Sequence, residues 1–121
     1  MEVVAVIGAS NDSGRYSYKA MEMLEEFGHR PIPVHPREEV IRGHKVIHNL
    51  DELLGQEIDT VTVYVNPEIS DKYEKGILQL SPKRVIFNPG AENPRLARIL
   101  AEKNIKVENA CTLVLLRTGQ Y

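Results

Sequence analysis

Residues 3–10 read VVAVIGAS, an apolar run that ends in a glycine and small residues before an amphipathic segment starting near Ser17. A glycine where a buried strand ends lets the backbone turn sharply. The small residues after it let an anion approach main-chain N–H groups at the start of a helix. The stretch is therefore typical of a strand–loop–helix unit that receives a phosphate group.

The rest of the chain alternates β-rich apolar runs with helical patterns. Further strands are predicted at 31–34, 60–65, 84–87 and 105–107, with a brief extra strand at 46–47. Helices are predicted from about 17 to 27, through 53–54 behind a cap at Asn49 or Asp51, from 67 to 80 and from 94 to 104. The prolines of the second strand favour an edge position, and the β-branched run 60–65 favours the centre. We expect an α/β fold in a single domain, 1–121: a Rossmann-like, doubly wound, mainly parallel five-stranded sheet with helices on both faces.

Composition excludes several classes of protein. A net charge of -2 and a pI near 6.1 give no global reason to expect nucleic acid or an anionic membrane surface as a partner. No run approaches the ~20 apolar residues that would span a bilayer. Met1 leads directly into the first strand, without the pattern of a secretory signal, and the single Cys111 cannot form an internal disulfide. We expect a soluble, cytoplasmic protein.

The strand ends supply the candidate site, because ligands of doubly wound sheets collect beyond the carboxyl ends of the strands. Three of the five predicted ends carry a proline: Pro36, Pro67 and Pro89. Prolines fix the backbone and withhold N–H groups, so they would form a rigid, apolar rim for a flat adenine or a thin pantetheine arm. The alternative is that these X-Pro pairs merely terminate the strands.

The glycine loop does not have the dinucleotide spacing. The next glycine after Gly8 is Gly14, so the G-x-G-x-x-G pattern is absent. The second strand ends in His35, where an NAD site would have a carboxylate for the ribose. Arg37 follows, and a cation there favours a phosphorylated ribose, as in NADP or coenzyme A. Arg15 lies where the first loop would meet another phosphate.

No catalytic constellation emerges from the remaining residues. His44 and His48 lie on an extended segment, where residues four apart are ~13 Å from each other, so no metal site is predicted. Cys111 could form a mixed disulfide with a thiol ligand, but a small buried residue is the commoner role. Ser10 lacks a G-x-S-x-G setting, and Glu92 could be a general base but more often such a residue complements a helix dipole. We expect no catalytic activity from the chain alone.

Several segments together resemble the small stand-alone CoA-binding domain proteins, which are similar to the CoA-binding domain of the succinyl-CoA synthetase alpha subunit. These segments are VIGAS at 6–10, Arg15 with SY at 17–18, VHP at 34–36, VNP at 65–67 and NPGA at 88–91. The resemblance covers nearly the whole chain. Two positions depart from the family pattern: many relatives have Asn in place of His35, and an aromatic residue with Gln in place of the 88–89 pair.

The resemblance implies coenzyme A, free or acylated, as the ligand. The first loop would hold the pyrophosphate with Gly8, Ala9, Ser10, Arg15 and Ser17. The turn after the second strand would meet the adenosine 3′-phosphate with Val34, His35, Pro36 and Arg37. The third and fourth strand ends would line the adenine and pantetheine path with Val65, Asn66, Pro67, Pro89, Gly90 and Ala91.

Three functional hypotheses stay open at this point. The leading one is a non-catalytic CoA or acyl-CoA binding module, acting as a sensor, carrier or regulatory protein. The second is an NADP-binding Rossmann protein. The third is a detached subunit of an acyl-CoA synthetase, because the family's phosphorylated histidine belongs to a domain that this chain lacks and a partner enzyme would have to supply. The aliphatic run 113–116 either covers the domain itself or forms a homodimer interface.

Overall fold

A five-stranded parallel sheet forms the centre of the computed structural model, which describes residues 1–121. The strands, in chain order, are β1 (Val3–Ile7), β2 (Arg30–Val34), β3 (Val40–Ile41), β4 (His44–Lys45), β5 (Thr60–Val63), β6 (Arg84–Phe87) and β7 (Lys106–Asn109). The helices are α1 (Tyr16–Glu26), α2 (Pro67–Ser70), α3 (Glu74–Leu80), α4 (Pro94–Glu102) and α5 (Thr112–Arg117). Two 3₁₀ helices cover Leu50–Leu53 and Asp71–Tyr73.

The main sheet has the order β2-β1-β5-β6-β7, and every neighbouring pair is parallel. This is the order of a doubly wound sheet, in which the chain starts inside, moves to one edge and then crosses to the other side. The predicted α/β, Rossmann-like fold is confirmed, with β2 at an edge and β5 in the centre. The direction of winding reverses between β1 and β5, and ligands of such sheets bind beyond the strand ends at that point.

Helices cover both faces of the sheet. On one face, 16 buried residues, among them Ile77 of α3 and Leu96 of α4, form the larger core. On the other face, 8 buried residues, among them Met21 of α1 and Leu116 of α5, form the smaller core. Successive residues of β1 belong to alternate cores, as the two-residue period of a strand requires. None of the helices has both the length and the apolar character needed to cross a membrane.

The single helix predicted for 67–80 is instead divided into α2, a 3₁₀ turn and α3. The Asn93 side chain donates at this division, with its Nδ2 2.8 Å from Ser70 Oγ and 2.8 Å from Asp71 Oδ1. The apolar stripe is accordingly incomplete, since Ile77 is buried but Ile69 is 39% exposed. A contact from the start of α4 therefore accompanies a break that local periodicity does not reveal.

The brief strand predicted at 46–47 lies slightly earlier in the chain. The strands β3 and β4 form an antiparallel hairpin, closed by Arg42 and Gly43 at φ 49° and 78°. Positive φ at both central residues is typical of a tight hairpin turn. Ile47 makes an isolated parallel bridge with Val34, and Asn49 caps the 3₁₀ helix that follows, as one of the two predicted alternatives has it.

The aliphatic run near the C-terminus forms most of α5. Leu113 and Leu116 are buried, whereas Val114 is 47% exposed. The helix contacts α1 on the smaller core, so two of the four aliphatics cover the domain itself. Beyond α5 the chain reaches the end of the sheet where the strands begin, and the centroid of the Tyr121 ring lies 4.3 Å from the guanidinium of Arg84, the first residue of β6.

Candidate functional site

Gly8 turns the chain at the end of β1. Its φ is +88°, and a Cβ at this position would lie 2.7 Å from Val65 Cγ1 and 3.2 Å from the Tyr64 carbonyl. Backbone and space therefore both select glycine, because an L side chain would meet strain and a collision together. The consequence is that the first loop passes directly against the segment that follows β5.

The first two amides of this loop hold the sheet together. The N–H groups of Gly8 and Ala9 both donate to the Val34 carbonyl, at 3.1 and 3.3 Å. Ala9 and Val34 are also buried, at 1% and 0% exposure. The sequence led us to expect main-chain donors for an anion along this loop, but these two amides are engaged with β2. Free donors lie further on, at the start of α1.

The N-terminus of α1 has no capping side chain. Arg15 occupies the cap position with extended backbone, its side chain makes no capping bond, and the first turn contains no acidic residue. The first N–H groups of a helix have no partner inside the helix, and the helix dipole favours an anion beside them. The Arg15 side chain is 71% exposed and 3.9 Å from Asp12, a distance that makes their ion pair weak. This turn is therefore suited to a phosphate group.

Short polar side chains shape the loop between β1 and α1. Ser10 Oγ accepts a hydrogen bond from the Asp12 N–H at 3.0 Å, and Asp12 Oδ1 accepts one from the Gly14 N–H at 2.9 Å. Asn11 Nδ2 donates to Glu38 Oε2 and to the Val40 carbonyl, both at 3.0 Å. Asn11 thus ties the loop to β3 and to the segment that precedes it, a contact that the sequence did not indicate.

A cleft of about 300 Å³ lies where this loop meets the ends of β5 and β6. Its lining residues are Gly8, Gly14, Arg15, Tyr16, Ser17, Tyr64, Val65, Asn66, Pro89, Gly90 and Ala91. The sequence analysis did not predict Gly14, Tyr16 and Tyr64 as site residues, although each directly adjoins a predicted one. Burial raises the pKa of the Tyr64 hydroxyl well above its usual range, so it stays protonated at neutral pH.

The structure brings together eight of the predicted site residues in this cleft: Gly8, Arg15, Ser17, Val65, Asn66, Pro89, Gly90 and Ala91. The other seven do not line it. Ala9 and Val34 are in the core, Ser10 is in the first loop, and Pro67 is exposed in the first turn of α2. The remaining three, at 35–37, form a separate turn at the end of the edge strand β2.

His35 organises this second turn. Its Nδ1 accepts hydrogen bonds from the Arg37 and Glu38 N–H groups, both at 3.0 Å. The ring nitrogen therefore acts as an acceptor, a role that an Asn side-chain oxygen also fills in tight turns. Arg37 itself is exposed and has no acidic partner within ion-pair distance. His35 is thus a positioning residue, and Arg37 is the free cation that it helps to place.

Asn88 fixes the end of β6 from within. It is 2% exposed, its Nδ2 donates to Thr62 Oγ1 at 2.7 Å, and its Oδ1 accepts from the Thr112 N–H at 2.9 Å. One amide therefore links β5, β6 and α5. Glu92, a candidate general base or helix-dipole partner in the sequence, accepts a hydrogen bond from the Gly90 N–H at 2.9 Å. It precedes Asn93, the N-cap of α4, and therefore lies outside the first turn of that helix.

The two histidines considered as a metal pair contact different partners. His44 Nε2 lies 3.0 Å from Glu25, whereas His48 Nε2 lies 2.8 Å from the Glu38 carbonyl. Burial acts to raise the pKa of Glu25, but hydrogen bonds from Arg42 and His44 outweigh it, and the net shift is downward. Arg42 and His44 thus fasten the β3–β4 hairpin to Glu25 of α1. The structure contains no group of three or more His, Cys, Asp or Glu side chains arranged to hold a metal ion.

Comparison with known proteins gives a consistent family relationship. The family model of the CoA binding domain matches residues 2–117. The alpha subunit of the ADP-forming acetate–CoA ligase II of Pyrococcus furiosus is 34% identical in an alignment of 80 residues that covers 61% of this chain and 17% of that subunit. The chain thus spans less than a fifth of the length of this curated relative.

Solved structures of similar size also match over nearly the whole chain. The crystal structure of an uncharacterized protein is 40% identical with a TM-score of 0.93, covering 100% of this chain and 98% of that one. A hypothetical protein from Pyrococcus horikoshii OT3 is 26% identical with a TM-score of 0.87, covering 95% of this chain and 81% of that one. With the family model matching all but the terminal residues, the chain belongs to the CoA-binding domain family and is related to a subunit of an acyl-CoA synthetase.

Proposed function

We propose that this protein binds coenzyme A or an acyl-CoA as a non-catalytic module that senses, carries or regulates. The observation that carries the proposal is the uncapped first turn of α1, which opens onto a cleft bounded by the ends of β5 and β6. A helix start without its own cap or acidic residue offers N–H donors to an anion. We expect the protein to act in the cytoplasm, where a free Cys111 is ordinary.

Each part of the cleft suits a different part of the ligand. The N–H groups of the first turn, together with Arg15, would hold the pyrophosphate. Val65 and Pro89 present apolar surface along the strand ends, against which a pantetheine arm would pack. We assign the 3′-phosphate of the adenosine to Arg37, the cation without an acidic partner at the end of β2. A guanidinium binds phosphate through two parallel hydrogen bonds, so the assignment is open to a direct test.

The test compares coenzyme A with dephospho-CoA by titration calorimetry. We expect coenzyme A to bind about tenfold or more tightly, because hydrogen bonds to a charged group contribute roughly 1.5–3 kcal/mol. Arg37→Ala should remove this difference between the two ligands. Arg30→Ala is the matched control, since Arg30 is an exposed arginine at the opposite end of the same strand, and it should leave the difference intact.

Two outcomes would contradict this assignment. Equal affinity of the wild-type protein for the two ligands would remove the role of Arg37. Tighter binding of NADPH than of coenzyme A in the same titration would favour the NADP-binding alternative, because its ribose phosphate could also meet Arg37.

A second candidate function is a detached subunit of an acyl-CoA synthetase. The 34% identity to the alpha subunit of an ADP-forming acetate–CoA ligase favours this function. The chain corresponds to 17% of that subunit, so most of the subunit has no counterpart in it. On this hypothesis a partner supplies the missing domains. Size-exclusion chromatography of the protein with an ATP-grasp ligase subunit, followed by an assay of acyl-CoA formation, distinguishes the two hypotheses. A complex with activity supports the subunit hypothesis, and separate elution without activity supports the module.

A further inference from the structure

A second cavity of about 340 Å³ adjoins the cleft on the side of α5. The two spaces share Tyr16, Tyr64 and Pro89 as common walls. From these walls the second cavity extends past the end of β6 to Cys111, Leu113 and Val114. A ligand whose phosphates lie at the start of α1 and whose arm follows the strand ends would therefore reach this cavity with its far end.

The lining of the second cavity is mostly apolar, unlike that of the cleft. Pro89, Leu113 and Val114 supply aliphatic surface, and Arg117 is the one charged lining residue. The amide of Asn88 is held by β5 and α5, whereas the Tyr64 hydroxyl is buried without a hydrogen-bond partner in the protein. Apart from this hydroxyl, the cavity makes few demands for hydrogen bonds, and an alkyl chain suits its aliphatic walls better than a polar group.

We propose that this cavity holds the acyl group of a short-chain acyl-CoA, an inference that rests on the proposed function. The cavity is large enough for an alkyl chain, because about 340 Å³ lies within the range of about 300–1,000 Å³ that is usual for cavities that bind small molecules. The protein therefore prefers CoA thioesters with a few acyl carbons over the acetyl ester.

Calorimetric titration of the wild-type protein with acetyl-CoA and butyryl-CoA tests the preference. Each buried methylene raises affinity about fourfold, so two more methylenes should give butyryl-CoA an advantage of about fifteenfold. Neither ester has a free thiol, so oxidation of Cys111 cannot contribute to the result. Equal affinity for the two esters would overturn the acyl site and leave the proposed function standing. Failure of acetyl-CoA and coenzyme A to bind at all would overturn the proposed function itself.

A charge in the cavity wall provides the second test. Val114→Glu introduces a carboxylate at a position that is 47% exposed, so the substitution does not bury a charge in the core. We expect it to reduce the butyryl advantage to less than twofold. Leu54→Glu is the matched control, because Leu54 is 52% exposed and lies outside both spaces, and it should keep the full advantage. Retention of the full preference in Val114→Glu would overturn the proposal.

Discussion

Gly8 combines two constraints that can be measured separately. Gly8→Ala places a side chain at φ +88° and 2.7 Å from Val65, whereas Gly28→Ala meets a similar φ of +81° in open space. The left-handed backbone costs roughly 1–2 kcal/mol, and overpacking costs typically 1–3 kcal/mol more. We expect Gly8→Ala to lower the free energy of unfolding in urea by about 2–5 kcal/mol and Gly28→Ala by about 1–2 kcal/mol. Equal losses would show that the contact with Val65 does not constrain the loop.

The local sequence predicts that the chain turns at Gly8, but it does not predict which group accepts the hydrogen bond of the Gly8 N–H. An apolar run followed by glycine indicates a sharp turn at a strand end, and the structure has that turn. The engagement of the Gly8 N–H with Val34 depends on the register between β1 and β2, which are joined by a whole helix. The sequence likewise does not predict the turn at His35. Its ring nitrogen accepts two hydrogen bonds from the backbone, and the neighbouring residues do not indicate them.

At the first turn of α1 we expect a substitution that stabilises the protein to weaken the binding of coenzyme A. Arg15 occupies the cap position without capping the helix. Arg15→Ser should add a side-chain cap and stabilise the protein by about 1 kcal/mol relative to Arg15→Ala. Both variants should bind coenzyme A about tenfold more weakly than the wild-type protein, because both lack the guanidinium. Thermal unfolding and calorimetry on the same samples give the two quantities.

The two Arg15 variants separate the roles of charge and cap. Unchanged affinity in both would remove Arg15 from the pyrophosphate site. Equal stability of the two would mean that the serine does not cap the helix. A naturally uncapped helix start is the expected pattern where a ligand, and not a side chain, satisfies the N–H groups.

Helices and strands differ in how far the sequence reveals them. The strand β6 matches the predicted limits 84–87, since its four residues are all buried and bounded by turn residues. The predicted helix 67–80 is divided, because Asn93, more than twenty residues away from the division, bonds to Ser70 and Asp71 there. Periodicity gives the type of an element and the face it buries, whereas tertiary hydrogen bonds decide where it breaks.

The domain as a whole should lose stability in acid through Asp59. This carboxylate accepts from the Val3 N–H at 2.8 Å and pairs with Lys83 at 3.1 Å, so it joins β1 to the turns before β5 and β6. The hydrogen bond from Val3 and the pairing with Lys83 lower the pKa of Asp59 below its ordinary 3.8. A lowered folded pKa contributes stability above the unfolded pKa, and that contribution is lost as the pH falls through the folded value.

Asp59→Asn tests this pH dependence. We expect the variant to be less stable than the wild-type protein at pH 7, with the difference shrinking below about pH 4. Urea unfolding at pH 7, 5, 4 and 3 measures the difference. Glu57→Gln is the control, since Glu57 also pairs with Lys83 but is 79% exposed, and it should change stability little at any pH. A difference that stays constant from pH 7 to pH 3 would contradict the role of the charge.

Across the domain, the sequence predicts which residues follow the strand ends, but it does not predict which of these ends share one cleft. The topology brings the first loop, β5 and β6 to one cleft, whereas the turn after β2 does not line that cleft. We expect a ligand that meets both to carry phosphate groups at two places. Coenzyme A has a pyrophosphate and a 3′-phosphate, which Arg15 and Arg37 would meet.

The crystal structure of the complex with coenzyme A tests this arrangement most directly. We expect the pyrophosphate against the first turn of α1 beside Arg15, the 3′-phosphate beside Arg37, and the pantetheine arm between Val65 and Pro89. Coenzyme A bound elsewhere, for example in the polar cavity lined by His48, Lys72 and Lys75, with the first turn of α1 empty, would contradict the account.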